Sequence, residues 1–149
     1  MKKLGLIIAG ALVCSAGIMA AVAGEKVITT TQLPQKAQTF IKKHYSGTQV
    51  ALVKEDKEII STDYEVIFAD GSKVEFNASG DWKDVTSLTE VPAAVVPQEI
   101  ATFIATNNYN ANGAKIVKID RDRSGYDVEL SNGLELEFNP QFQLVDIDD

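Results

Sequence analysis

The chain has a single cysteine, Cys14, and it lies inside an apolar N-terminal run that is expected to be removed. The remaining chain would then have no disulfide, no thiolate metal site and no cysteine nucleophile, so the fold must stand on its core alone. The only histidine is His44, and no Gly-x-Ser-x-Gly elbow accompanies it, which leaves few ways to pair a nucleophile with a base. Catalysis is therefore not expected. Positive charge is also scarce: beyond residue 23 there are 12 basic against 21 acidic residues, a net charge of −9. That sign repels phosphate backbones and anionic lipid surfaces, so neither nucleic acid nor a membrane surface is an expected partner.

The run that holds Cys14 has the layout of an export signal. Met1-Lys2-Lys3 gives a short basic start, Leu4 to Val22 is apolar or small, and Ala21-Val22-Ala23 is a small-x-small cleavage site. A membrane anchor is the competing reading, because about 19 apolar residues just span a bilayer. The Gly and Ala content and the processing signature favour cleavage after Ala23, hence a periplasmic or secreted protein with no membrane insertion afterwards. A lipid anchor would need Cys14 at the cleavage point behind a small residue, but Val13 precedes it.

Internal repetition organises the rest of the chain. Leu33-Pro34-Gln35-Lys36-Ala37-Gln38-Thr39-Phe40-Ile41 matches Val96-Pro97-Gln98-Glu99-Ile100-Ala101-Thr102-Phe103-Ile104 at a spacing of 63. Tyr64 to Phe68 then matches Tyr126 to Leu130 at a spacing of 62, and Gly71, Phe76, Asn77 and Asp84 match Gly133, Phe138, Asn139 and Asp146. This predicts a signal peptide over 1–23 and repeats over 24–87 and 88–149. Units this small bury little alone, so a shared core or a continuous sheet is expected. The second half is the acidic one, with 4 basic and 11 acidic residues from Leu88 onward.

Each repeat opens with an amphipathic helix. Leu33, Ala37, Phe40, Ile41 and His44 fall at helical spacing, as do Val96, Ile100, Phe103 and Ile104, with Pro34 and Pro97 placed in the first turn and Gly47 and Gly113 after the ends. Such a stripe packs on a sheet; it does not call for a cofactor, and none is expected. The period then changes to two, predicting strands over 49–55, 63–68, 73–77 and 82–86, and again over 115–120, 126–130, 134–138 and 143–147. The fold class is α+β: two tandem repeats, each one helix packed on a four-stranded antiparallel meander, with one sheet face apolar and covered and the other open.

Parity sets a register. Opposite residues of an antiparallel pair share a face, so Leu130 must meet Leu134 across Ser131-Asn132-Gly133, with Gly133 left-handed, and Phe68 must meet Ser72 across Ala69-Asp70-Gly71. Glu65 then stands opposite Glu75, Asp127 opposite Glu137 and Glu129 opposite Glu135 on the open face, at a cost of a few tenths of a kcal/mol per pair. Two readings stand: an electronegative face that receives a cationic protein surface or a divalent cation, or a solvated face kept acidic for solubility.

Other motifs carry less. Asp120-Arg121-Asp122-Arg123-Ser124-Gly125 begins like a calcium loop but has Ser131 where a bidentate glutamate is needed, so a charged β-turn is expected and no metal site is assigned. Paired carboxylates could serve glycoside hydrolysis, but no cleft-forming insertion surrounds them. Trp82 is expected to close the sheet core, as is its counterpart Leu144, with Tyr64 and Tyr126 facing inward. His44 is read as a helix-end residue.

In this order, twice, the motifs resemble the PepSY-like, β-lactamase-inhibitor-like proteins exported by Gram-negative bacteria. The carriers are Leu33-Pro34 and Val96-Pro97, Tyr64-Glu65-Val66 and Tyr126-Asp127-Val128, then Asp70-Gly71 and Asn132-Gly133 ahead of Val74-Glu75-Phe76-Asn77 and Leu136-Glu137-Phe138-Asn139. Gly80-Asp81-Trp82 completes the pattern once, whereas Phe142-Gln143-Leu144 departs from it. The resemblance implies helix-capped units whose sheets join into a curved surface, as in the β-lactamase inhibitor protein; inhibition itself does not follow from a shared fold. The expected function is a non-catalytic module that binds an envelope or extracellular protein with a basic surface. The alternative is a periplasmic sensor for a small ligand or divalent cation.

Overall fold

A computed structural model describes residues 24–149; the leader expected over 1–23 lies outside the described residues. Both helices form where the apolar stripes place them, α1 over Gln35–His44 and α2 over Gln98–Thr106. Pro34 and Pro97 occupy the N-cap positions, one residue before the first turn expected for them, and their fixed φ near −52° suits the entry. Gly113 does not end α2. It belongs to a short 3-10 turn at Ala111–Gly113, and Asn108, at φ 60°, takes the left-handed place after the helix.

The strands form one nine-stranded antiparallel sheet in chain order. They are β1 (Glu25–Val27), β2 (Val50–Lys57), β3 (Thr62–Phe68), β4 (Lys73–Asn77), β5 (Trp82–Thr86), β6 (Ile116–Asp122), β7 (Gly125–Leu130), β8 (Glu135–Phe138) and β9 (Leu144–Asp148). β1 was not expected from periodicity, because three residues are too short to show one. The two expected four-stranded sheets are continuous: β5 pairs with β6 through Asp84↔Asp120, Val85↔Ile119 and Thr86↔Lys118. The connection between them carries α2 across the apolar face.

That face is the core. Val66, Val74, Phe76, Val85, Ile119 and Leu136 are fully buried, beneath Ala37 and Ile41 of α1 and Ile100 and Ile104 of α2. Each helix is keyed to the sheet by an edge-to-face aromatic pair. Phe40 meets Phe76 at 5.4 Å and 83°, and Phe103 meets Phe138 at 5.5 Å and 88°. Such a pair adds about 0.5–1.5 kcal/mol beyond burial. Trp82 is half-buried against the core, with the Arg121 guanidinium 4.0 Å over its ring.

The hairpins obey the expected register. Phe68 N–H donates to Ser72 O and Leu130 N–H to Leu134 O, both at 2.9 Å, with Gly71 and Gly133 at φ 85° and 92°. The next turn of each half also matches. Gly80 N–H donates to Asn77 O and Phe142 N–H to Asn139 O, again at 2.9 Å. Phe142 holds the left-handed φ of 62° that Gly80 adopts at 85°, so the unexpected residue keeps the turn, while its ring packs 5.4 Å from Tyr126. The Arg123-Ser124 turn between β6 and β7 is closed by Asp122, whose carboxylate accepts from the Ser124 N–H at 2.7 Å and from the Ser124 hydroxyl.

Candidate functional site: the acidic sheet face

The uncovered face of the sheet is built by the same alternation that builds the core. Every second residue of a strand points away from the helices, and in β3 to β9 the register brings one carboxylate from each strand into a single cross-strand row. Its members are Glu65, Glu75, Asp84, Asp120, Asp127, Glu137 and Asp146. With strands roughly 4.8 Å apart the row runs about 29 Å. Glu129 and Glu135 face each other one step along, with Asp148 beyond Glu135 and Lys118 beyond Glu129.

All six carboxylates singled out from the sequence lie on this face, in the three expected pairs Glu65↔Glu75, Asp127↔Glu137 and Glu129↔Glu135. Asp84, Asp120 and Asp146 were missed as members. Asp84 and Asp146 were visible as a matched pair at the repeat spacing, but only the β5–β6 pairing, which no local pattern encodes, puts Asp84 beside Asp120.

The two ends of the row differ. Toward β2 it is laced with lysine: Lys54 Nζ lies 2.8 Å from Glu25 and 3.5 Å from Glu65, and Lys73 Nζ is 3.3 Å from both Glu65 and Glu75. Lys83 bridges to Asp63 at 2.8 Å and Lys118 to Asp84 at 3.4 Å. The Glu25 hydrogen bond raises the Lys54 pKa. Burial disfavours charge on Lys73 and Lys118, but the carboxylates beside each outweigh it and raise both.

Toward β9 no lysine is interleaved, since the sequence from Ser124 to Asp149 has no basic residue. Asp120 sits where the two regimes meet. Burial, with Asp127, Asp84 and Asp122 nearby, pushes its carboxyl up to about 6 against the opposing pull of Lys118. Slight burial and flanking Asp127 and Asp146 raise Glu137 in the same direction.

A shallow depression of about 180 Å³ opens over the lysine-laced end, lined by Glu25, Lys54, Asp56, Asp63, Glu65 and others. Among the described residues no three acidic or histidine side chains converge as a metal would require. His44 ends α1 with its ring 4.5 Å from that of Phe40 and lies away from the acidic row; burial and Lys43 lower its pKa.

The helix starts, hairpins and strand order fit one family, whose model matches residues 21–62 and 62–146. This chain belongs to the PepSY-like, beta-lactamase-inhibitor-like family. The family's two matched segments meet at Thr62, the first residue of β3. Solved structures are similar over most of this chain. A periplasmic protein from Bacteroides vulgatus, so named provisionally, is 43% identical, covers 87% of this chain and 100% of its own, and has a TM-score of 0.79. A Bacteroides thetaiotaomicron protein, provisionally named calcium-regulated and periplasmic, is 44% identical over 84% of this chain and 97% of its own, with a TM-score of 0.78. A second B. vulgatus protein, described as periplasmic and of unknown function, is 37% identical over 85% and 100%, with a TM-score of 0.76. None of the curated proteins matches. No helix among the described residues is long and apolar enough to cross a membrane.

Proposed function

We propose that this chain is an exported, non-catalytic binding module that presents the β7–β9 end of its open sheet face to a basic surface of an envelope or extracellular protein. The observation that carries this reading is the asymmetry of the carboxylate row. Where the fold needs the row to be tolerated, lysines sit between the acids; toward β9 the sequence supplies none. Cross-strand like charges cost roughly 0.2–1 kcal/mol each. A face that carries this cost gains it back when a cationic surface arrives. The leader read in residues 1–23 and the periplasmic descriptions of the relatives support export. The division into units over 24–87 and 88–149, two copies of one helix-and-sheet design arranged as in the β-lactamase inhibitor protein, is part of the same proposal. The matched aromatic pairs and turns support it. Inhibition of a β-lactamase is not part of it.

The test is capture from an envelope extract by the wild-type protein and by the Glu129→Lys, Glu135→Lys double variant, at low and high salt. A partner retained by the first, lost by the second and released by salt supports the reading. Equal capture by both refutes it.

A second reading, a sensor for a divalent cation, is favoured by the calcium-regulated description of the B. thetaiotaomicron relative. Its test is a thermal melt with and without millimolar calcium. A rise in Tm abolished by Glu129→Gln and Glu135→Gln would select it.

A further inference from the structure

We infer that the β9 edge of the sheet is a docking site for an antiparallel strand of a partner protein carrying alternating basic and apolar residues. The inference rests on the protein-binding reading and moves the contact from the face to the edge.

The molecule twice shows how its own edges take a strand. β5 and β9 are equivalent: Val85 pairs back to Val74 and Asp84 to Glu75, as Ile147 pairs back to Leu136 and Asp146 to Glu137, each with an irregularity one step further. β5 is covered by β6, and across that junction Ser87 N–H donates to Val117 O at 2.8 Å. Val85, two residues earlier, directs its N–H the same way and is fully buried. β9 ends the sheet. By equivalence the Ile147 N–H points outward, and its acceptor is the carboxylate of the adjacent Asp146, at 3.0 Å, in place of a strand carbonyl. Ile147 is 37% exposed and Val145 63%.

Charge selects the occupant. Both internal strand additions are joined on the open face by a lysine–carboxylate bridge: Lys54 to Glu25 where β1 covers β2, and Lys118 to Asp84 where β6 covers β5. At β9 the open-face residues are Asp146 and Asp148, and the chain has no basic residue from Ser124 onward. The incoming strand must supply the lysine or arginine, with a β-branched residue opposite Ile147. A second copy fits poorly, because β9 laid antiparallel on β9 about Ile147 sets Asp146 against Asp148. A three-residue strand suffices for the purpose, as β1 demonstrates. Main-chain hydrogen bonds give such a contact its strength and the alternating side chains its specificity.

The experiment is titration of isotope-labelled protein with a peptide of alternating lysine and valine, beside its glutamate–valine counterpart. The lysine peptide binds and the glutamate peptide does not; on binding, the Ile147 amide exchanges at least tenfold more slowly. Ile147→Pro, which removes the donor, weakens binding at least tenfold. The Asp146→Lys, Asp148→Lys double variant reverses the preference between peptides, and it decides the matter if Ile147→Pro does not fold. Binding that survives both variants while Glu129→Lys, Glu135→Lys abolishes it overturns the edge and leaves the face reading intact. Failure of the lysine peptide to bind, or sedimentation showing the edge filled by a second copy, overturns the inference outright.

Discussion

The two ends of the open face are made by different strands with matching hairpin turns and helix-to-sheet aromatic pairs, and they handle negative charge in opposite ways. At the β2–β5 end, Lys54 and Lys73 each stand between two carboxylates, of which Glu65 and Glu75 are half-buried and Glu25 is exposed. At the β7–β9 end, Glu135, Glu137, Asp146 and Asp148 are exposed with no lysine between them. The fold is therefore indifferent to which solution is used, provided the covered face is apolar. The difference teaches that the carboxylates themselves are not what holds the sheet together. Compensation by lysine accompanies partial burial, where desolvation makes an unpaired charge expensive, and disappears where water screens the charge.

The comparison breaks most sharply in the core. Phe76→Ala and Phe138→Ala remove equivalent buried rings, each keyed to its helix, and each should cost about 3–5 kcal/mol. If the sheet is one cooperative unit, both variants move a single denaturant transition by similar amounts. Two separable transitions would show that the halves fold independently and that the β5–β6 junction is weak.

Asp120, at the boundary, is the next test. Its carboxyl titrates at about 6 in the folded protein, above its ordinary value, so the folded state binds the proton more tightly than the unfolded state. That stability is present below about pH 4 and is lost as the pH rises through 6. Asp120→Asn should therefore stabilise the protein at pH 7 by about 1 kcal/mol, once solvent screening is allowed for. It should also flatten this part of the melting profile between pH 4 and 7. An unchanged profile would mean that Lys118 already balances the site.

The smallest effect has opposite signs at the two ends. Lys73→Glu removes the cation between Glu65 and Glu75 and should destabilise by about 1 kcal/mol. Glu135→Lys places a cation opposite Glu129 and should stabilise by a few tenths of a kcal/mol. Both shifts should fade in about 1 M salt. Equal signs at the two ends would dissolve the distinction between them.

Much of this architecture was legible in the residue pattern. Gly71 behind Asp70 and Gly133 behind Asn132, flanked by period-two segments, defined the hairpins to the residue, because only one register lets Leu130 meet Leu134 and Val66 meet Val74. The same parity placed six carboxylates on one face. Three other features were not legible. β1 is a three-residue segment whose pairing to Lys54–Asp56 depends on a strand about 30 residues away. Phe142 kept a left-handed turn that its residue type argued against, because ring packing on Tyr126 offsets the strain. The residue after α2 was asparagine and not the glycine assigned to it, since Asn tolerates that conformation as well.

The sequence by itself determined which residues face the helices and which face water, because strand periodicity and hairpin parity are local properties of a chain. Only the tertiary structure decided that β5 lies against β6, and with it that Glu75, Asp84, Asp120 and Asp127 form one unbroken row. That pairing is made across an intervening helix, and its driving force is the burial of Val85 and Ile119 in a core shared by both halves. No pattern within either half contains it.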